Sequence, residues 1–123
     1  MKGIVIKTDN TASIEEFGQP LYQAVGTAVG GFIEIVRPTG LTHPIVMIIN
    51  DNGKIEGLPV NILGCILYGT ELHGDPIVGD IVIMQEGFVD GGPDIVGLDD
   101  RQADRLLALF NAELARIREE LAK

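Results

Sequence analysis

The sequence predicts an α+β domain in which a mixed, mainly antiparallel sheet of about five strands is covered by helices. Three observations predict this fold. Short runs of β-branched and apolar residues recur along the chain, as expected of strands. A helix-period pattern over residues 20–29 ends at Gly30 and Gly31, immediately before the apolar run at residues 32–36. Finally, apolar residues repeat every seven positions within residues 99–122, which predicts a long C-terminal amphipathic helix.

Length and charge limit the kinds of protein that this chain can be. Its 123 residues fit a single α+β domain over residues 1–123, since a domain usually takes about 100–200 residues. The net charge of −9 disfavours direct nucleic-acid binding and attraction to anionic lipid, because both require Lys and Arg to meet phosphate. No apolar run is long enough for a membrane span, and no signal peptide precedes the first strand-like segment. We therefore expect a soluble, cytoplasmic protein.

The start of the chain predicts a β-hairpin. Residues 3–8 and residues 13–17 are strand-like and flank a cluster of turn residues. Ser13 and Glu16 also fit a helix capping box. A helix that began there would end almost at once, because a glycine and a proline follow. The hairpin is therefore the simpler interpretation.

A first helix is predicted to begin with Pro20, whose missing N–H costs nothing at the first helical position. Its apolar residues repeat at helical spacing as far as Val29. Gly30 suits the helix C-terminus because glycine adopts positive φ without a Cβ clash, and Gly31 allows the next strand to pack closely. Glu34 interrupts that strand and is expected to face solvent, because carboxylates are seldom buried. A buried Glu34 with a partner is the alternative.

The middle of the chain predicts a central strand, a tight turn and a short helix. Residues 44–50 form a fully apolar run, typical of a strand that is covered on both faces. Residues 51–54 contain Asn-Gly and predict a type I′ turn. Residues 62–69 predict a short buried helix, with Pro59 at its start.

A further strand is predicted at residues 77–84, interrupted by Gly79 and Asp80. Residues 85–97 are rich in glycine and acidic residues and are predicted to be a loop. The C-terminal helix over residues 99–122 opens with a capping aspartate and a second acidic residue, both placed against its positive end.

The heptad repeat of the C-terminal helix has two interpretations. The helix can pack across the sheet, or its apolar seam can extend to a second copy of the chain. About three heptads are the lower limit for a coiled coil, so packing across the sheet is the simpler interpretation. We nevertheless predict a homo-oligomer. The residues of the predicted oligomer seam are Leu107, Phe110, Leu114, Ile117 and Leu121.

Four segments carry a resemblance to a known family: residues 21–34, the turn at residues 50–54, the Leu-Pro-x-Asn pattern at residues 58–61, and residues 77–82. Together they resemble the DUF3846 family of small proteins of uncharacterised function. The likeness covers most of residues 1–110, and the C-terminal helix extends beyond it. The resemblance implies an origin in a bacteriophage, a plasmid or a Gram-positive bacterium, and hence host cytoplasm if phage-encoded. It supplies no established catalytic residues to transfer to this chain, so it supports a fold and a context.

No arrangement of residues points to catalysis. The sequence lacks a G-x-S-x-G nucleophile motif, and His43 and His73 fall in turn-like contexts without cysteines or carboxylates at ligand spacing. Cys65 has apolar neighbours and is expected to be an ordinary buried thiol. We therefore predict no catalytic residue, no metal and no cofactor, and we expect binding in preference to catalysis. An enzyme that acts on a nucleotide is the third alternative, although its metal ligands cannot be placed.

The first functional hypothesis is a non-enzymatic small-ligand-binding protein that sequesters a nucleotide-type signalling molecule of host defence. Glycine-lined junctions can present backbone N–H groups to an anion. The negative net charge opposes an anionic ligand unless Arg37, Lys54 or Arg101 is gathered at the pocket. The predicted ligand-binding residues are Gly30, Gly31, Arg37, Asn61, Tyr68 and Asp80.

The alternative hypothesis is an acidic protein-interaction module, an inhibitor or DNA mimic that binds a host protein. Half of the 18 acidic residues lie between Glu71 and Asp104, where Arg101 is the only base. Such a segment can present charges where phosphates would lie. The same acids could form a cation site or a solvated loop, of which the loop is the simpler interpretation. The predicted interaction surface consists of Asp90, Asp94, Asp99 and Asp100.

Overall fold

The computed structural model describes residues 1–123 and contains six strands and four helices. These elements confirm the predicted α+β class. In chain order they are β1 (Lys2–Ile6), β2 (Ala12–Glu16), α1 (Leu21–Val29), β3 (Ile33–Val36), β4 (Ile45–Asn50), α2 (Ile62–Tyr68), α3 (Thr70–His73), β5 (Ile81–Val89), β6 (Gly92–Val96) and α4 (Asp100–Leu121).

The six strands form one sheet in which every pairing is antiparallel. The strand order is β2-β1-β5-β4-β3, and β6 pairs with the far half of β5, beyond the end of β1. The predicted N-terminal hairpin and the predicted central position of β4 are confirmed. Glu34 is exposed, as predicted. The sheet has one strand more than expected, and β2, β3 and β6 each pair on one side only.

The two faces of the sheet bury two separate apolar cores. Side chains alternate between the faces along a strand, so Ile4 and Ile6 of β1 pack with α2 and α4, while Val5 packs with α1. Phe110 and Leu114 of α4 fill the larger core. Because helices cover both faces, β4 and the first half of β5 are apolar at consecutive positions.

The two glycines after α1 couple this helix to β3, as predicted. Gly30 ends the helix with a φ of 88°, a conformation that glycine adopts without strain. A Cβ on Gly31 would come within 3.1 Å of the Asn50 side-chain nitrogen. That buried Asn50 amide donates a hydrogen bond to the carbonyl of Val29 at 3.2 Å. One side chain of β4 therefore joins the end of α1 to the sheet.

The predicted helix starts differ from the observed ones. Pro20 is not the first helical residue; it is the N-cap of α1, with extended backbone (φ −71°, ψ 135°). Helix α2 begins after Asn61 and not at Pro59, because the Asn61 side chain accepts a hydrogen bond from the backbone N–H of Gly64. Helix α3 follows Gly69 and was not predicted, since its four residues are too few to show a helical period.

The predicted type I′ turn at residues 51–54 is wrong. Neither of its central residues has positive φ, and residues 51–57 form consecutive turns that close at Gly57 with a φ of 72°. Gly53 lies against another part of the chain, because a Cβ there would come within 2.9 Å of the Val78 side chain. After β4 ends, the chain therefore continues toward α2 and does not form a hairpin with an adjacent strand.

The loop predicted at residues 85–97 is also wrong. The strand expected from residue 77 begins only at Ile81, after Gly79 takes a φ of 79°. It then continues through the supposed loop and turns at Asp90, whose φ is 50°, into β6. The glycines and acids of this segment therefore belong to a β-hairpin, which supplies the sixth strand.

We predict that the C-terminal helix is held by its buried stripe. Phe110 is fully buried (0% exposed), whereas its neighbour Leu109 is 49% exposed. Phe110→Ala should lower the free energy of unfolding by about 3–5 kcal/mol, through lost burial and the cavity left behind. Leu109→Ala should change it by no more than about 0.5 kcal/mol. Urea unfolding followed by circular dichroism measures both, and equal losses would contradict the packing of α4.

Candidate functional site

The structure does not bring the six predicted ligand-binding residues into one pocket. Gly30 and Gly31 line a groove of about 720 Å³ between α1 and β3. Tyr68 lines a cleft of about 260 Å³ beside the other face of β3. The three predicted residues that line neither are Arg37, Asn61 and Asp80.

Asn61 has a structural environment. Its side chain is 1% exposed and its amide nitrogen donates to the carbonyls of Ile6 at 3.0 Å and Gly79 at 2.9 Å. Its amide oxygen accepts from the backbone N–H of Gly64 at 2.9 Å. These bonds join β1, the segment before β5 and α2. The polar atoms of Asn61 are therefore satisfied inside the protein.

Arg37 and Asp80 are likewise held by other groups. The Arg37 guanidinium forms an ion pair with Glu86, and the Nε2 atom of His43 lies 3.6 Å from the second Glu86 oxygen. The Asp80 carboxylate accepts a hydrogen bond from the backbone N–H of Thr8 at 3.0 Å. Both side chains thus stabilise chain segments that are distant in sequence.

Three of the four acids of the predicted interaction surface have partners within the chain. Asp94 accepts a hydrogen bond from the Tyr22 hydroxyl at 2.8 Å. Asp99 caps α4 in a capping box and Asp100 pairs with the ammonium group of a β1 lysine. Asp90 lies at the β5–β6 turn, is exposed and makes no ion pair. The segment is therefore not a uniform face of free carboxylates.

Most of the predicted oligomer seam faces the interior of its own chain. Phe110, Leu114 and Ile117 belong to the larger core. Leu107 packs against the same core while partly exposed, and Leu121 is exposed. The helix packs across the sheet, which was the simpler interpretation. A homo-oligomer remains a prediction.

A different cleft gathers polar groups without any carboxylate. It has a volume of about 580 Å³ and lies between the loop at residues 40–45 and one side of α4. We call it the Arg105 cleft. The four α4 residues that line it are Gln102, Arg105, Leu106 and Leu109. None of its ten lining residues is acidic, although the chain has twice as many acidic as basic residues, 18 against 9.

Hydrogen bonds to other elements position both walls of the Arg105 cleft. On the loop side, the Gly40 N–H donates to the Leu67 carbonyl at 2.8 Å, at the C-terminal end of α2. The Thr39 hydroxyl donates to the adjacent Tyr68 carbonyl at 3.0 Å. These bonds satisfy carbonyls that a helix end leaves free. The loop is thereby tied to α2.

On the helix side, two glutamine side chains fix the start of α4. Gln85 of β5 and Gln102 exchange hydrogen bonds of 3.3 and 3.2 Å through their amide groups. Gln102 also accepts from the backbone N–H of Asp99 at 3.1 Å and so completes the capping box. The first turn of α4, and with it the position of Arg105 one turn later, is thus set by the sheet.

The residues of the Arg105 cleft include hydrogen-bond donors that have no partner within the chain. Arg105 has no carboxylate within ion-pair distance, and its guanidinium offers five N–H groups. The backbone N–H groups of Thr42 and His43 make no hydrogen bond within the chain. Leu106 and Leu109 add apolar surface beside them. Such a lining favours an anionic group attached to an apolar body.

Sequence reasoning missed Arg105. A signal was present, because Arg101 and Arg105 are four residues apart and therefore share one side of a helix. Like charges at this spacing repel, and neither arginine forms an ion pair in the structure. Two such arginines in an acidic protein indicate a surface that can accept negative charge.

Comparison with known proteins gives one family. The sequence profile of the domain of unknown function DUF3846 matches residues 1–111. The chain belongs to the DUF3846 family. No curated protein and no solved structure matches it. The DUF3846 match includes both walls of the Arg105 cleft and ends within α4.

This DUF3846 structure contains neither a preformed metal cluster nor a membrane-spanning helix. No cluster of three or more His, Cys, Asp or Glu side chains has the arrangement needed to hold a metal ion. None of the helices combines the length and the apolar character needed to cross a bilayer.

We predict that Asp94 controls the titration of Tyr22. The hydrogen bond from the phenol to Asp94 raises the pKa of Tyr22, and partial burial and the Asp94 charge add to this effect. In Asp94→Ala the pKa should therefore fall toward the ordinary tyrosine value. An absorbance titration of phenolate measures it, in a Tyr68→Phe background that leaves Tyr22 as the only tyrosine.

The raised pKa of Tyr22 also makes the stability of the protein depend on pH. Because the pKa of Tyr22 is raised in the folded state, the linked stability is present below the ordinary tyrosine pKa of about 10 and is lost as pH rises through the folded value. Asp94→Ala should therefore reduce the loss of stability on alkaline titration. An unchanged Tyr22 titration in the variant would show that the hydrogen bond does not form in solution.

Proposed function

We propose that this protein binds a small anionic molecule in the Arg105 cleft and acts by binding, not by catalysis. The observation that carries the proposal is the absence of acidic residues from the cleft of a protein with a net charge of −9. Elsewhere the negative field repels anions. In the Arg105 cleft, by contrast, an arginine without an ion-pair partner can attract an anion.

The shape and chemistry of the cleft support a nucleotide-type ligand. Its volume of about 580 Å³ lies within the range of about 300–1,000 Å³ that is usual for small-molecule sites. Arg105 matches a phosphate or carboxylate through paired hydrogen bonds, and the Thr42 and His43 backbone N–H groups supply further donors. Leu41, Leu106 and Leu109 offer apolar surface to a ring system.

The residues of the cleft favour binding over reaction. It contains no cysteine, serine or carboxylate, so it lacks the usual nucleophiles apart from Thr42 and lacks an acid–base pair. His43 is the single titratable base there besides Arg105, and its ring nitrogen lies toward Glu86. In a cytoplasmic protein of phage or plasmid origin, binding without turnover would sequester a nucleotide-type signalling molecule of host defence.

An acidic interaction module is less well supported. A DNA mimic needs free carboxylates where phosphates would lie, but Asp94, Asp99 and Asp100 are used within the chain. Only Asp90 of the proposed surface is exposed and makes neither an ion pair nor a side-chain hydrogen bond within the chain. The ligand-binding proposal therefore has the stronger structural basis.

Thermal unfolding in the presence of nucleotides tests the proposal. The probes are a cyclic mononucleotide, a nucleoside 5′-monophosphate and inorganic phosphate, each at millimolar concentration. A nucleotide that binds the folded state raises the melting temperature, because binding stabilises by RT ln(1 + [L]/Kd). Phosphate alone should bind more weakly, since it lacks the part that contacts the leucines.

Arg105→Gln should weaken nucleotide binding roughly ten- to a hundredfold, as expected for the loss of about 1.5–3 kcal/mol from a hydrogen bond to a charged group. Arg116→Gln is the matched control, because Arg116 lies on the same helix but pairs with Glu113 outside the cleft. Calorimetry measures both affinities. Equal affinities in the two variants, or no stabilisation by any probe, would remove the proposal.

A further inference from the structure

Strand β3 is an open edge of the sheet. It pairs only with β4. The Asp51 N–H donates to the Phe32 carbonyl at 2.8 Å, and this bond sets the phase of the antiparallel ladder. Hydrogen-bonded and non-hydrogen-bonded pairs then alternate along β3. Glu34 therefore bonds to β4, whereas Ile33 and Ile35 direct their N–H and C=O groups away from the sheet.

A groove on one side of this edge is lined by uncharged residues. Ile33 packs with the α1 core, and Ile35 pairs with Ile48 of that core, so both side chains belong to the α1 face. The groove between α1 and β3 has Phe32 at its rim, 81% exposed, together with Tyr22. Ile35 is 40% exposed beside it. None of the groove's lining residues is charged.

The cleft on the other side of the same edge is acidic. Glu34 and Asp51 line it with Tyr68, and neither acid has an ion-pair partner. Its one base, Lys54, is already paired with Asp75. This acidic cleft therefore carries uncompensated negative charge next to an unpaired strand edge.

We propose that β3 receives an extended segment of another protein as an additional strand, and that apolar residues alternate with Lys or Arg in this segment. Successive side chains of an added strand point to opposite faces. One set would enter the groove beside Phe32, and the other would reach Glu34 and Asp51. Backbone bonds to Ile33 and Ile35 would supply affinity, and the two differently charged sides would supply specificity.

A second copy of this chain fits the edge less well. Pairing β3 with itself about a two-fold axis would place the acidic cleft of one copy beside that of the other. The nearest base along the chain, Arg37, directly follows β3 and is already paired with Glu86. Like charges opposed in this way disfavour association. Charge complementarity thus selects a basic partner segment over self-pairing.

A synthetic heptapeptide of alternating valine and lysine, with blocked ends, tests the proposal by titration of the isotope-labelled protein. We expect the amide signals of Ile33 and Ile35 to shift on binding. A peptide with glutamate in place of lysine, and one of the same composition with its lysines grouped together, should not bind. Equal binding of either control peptide would overturn the proposal.

Variants of the edge separate backbone pairing from charge. Ile35→Pro removes an N–H that points away from β4 and should abolish binding, because proline is tolerated on an edge but cannot donate. Glu34→Lys should weaken binding about fivefold, the scale of an exposed ion pair. Glu15→Lys, on the opposite edge strand β2, is the matched control and should bind as the unmodified protein does.

If Ile35→Pro fails to fold, a peptide with N-methyl groups on alternate backbone amides tests the same pairing with the unmodified protein. It should lose binding when the methylated amides face β3. Retained binding by this peptide, or by a folded Ile35→Pro variant, would overturn the proposal. If the protein dimerises without any peptide, and Ile35→Pro abolishes that dimer, the edge binds a second copy of the chain and the proposal is overturned.

Discussion

The hydrogen bonds of the buried Asn61 side chain are the interaction on which the arrangement of this protein depends. They link the end of β1 at Ile6, the bend at Gly79 before β5 and the first turn of α2. The C-terminal end of helix α2 in turn holds the loop that follows β3, because the Leu67 carbonyl accepts a hydrogen bond from the Gly40 N–H. A side chain that does not line the Arg105 cleft therefore helps to place one of its walls. Leaving this buried amide without hydrogen-bond partners would cost free energy. Arrangements that separate these three segments are therefore strongly disfavoured.

Periodicity identified those elements of the fold whose burial is simple. The stripe of α4 and the apolar run of β4 each face a core, so hydrophobic pattern and structure agree. The hairpin of β5 and β6 was missed because its glycines, Pro93 and acids have the composition of a loop. Strand β6 is bonded on one side only, where proline is tolerated. The turn after β4 was missed because the contact of Gly53 with Val78, which is distant in sequence, outweighs the local preference of Asn-Gly.

The candidate site was harder to predict than the fold, since charge in a sequence gives no information about pairing in space. The acidic segment looked free, but Asp94 and Asp99 serve a phenol and a helix end. Arg37 looked available, but Glu86 holds it. Arg105 was the reverse case, an arginine near acids in sequence that forms no ion pair in the structure. Which charges remain without partners depends on contacts between distant segments, and only coordinates give these.

The family match and the folded unit do not end at the same place. The match stops at residue 111, whereas Leu114 and Ile117 still fill the core beside Ile4. A truncation at that boundary would keep every strand but strip two apolar side chains from the cover of the sheet. A chain that ended at this boundary would have to close the same surface with other residues. In this protein, the region matched by the family is therefore shorter than the segment needed to cover the hydrophobic core.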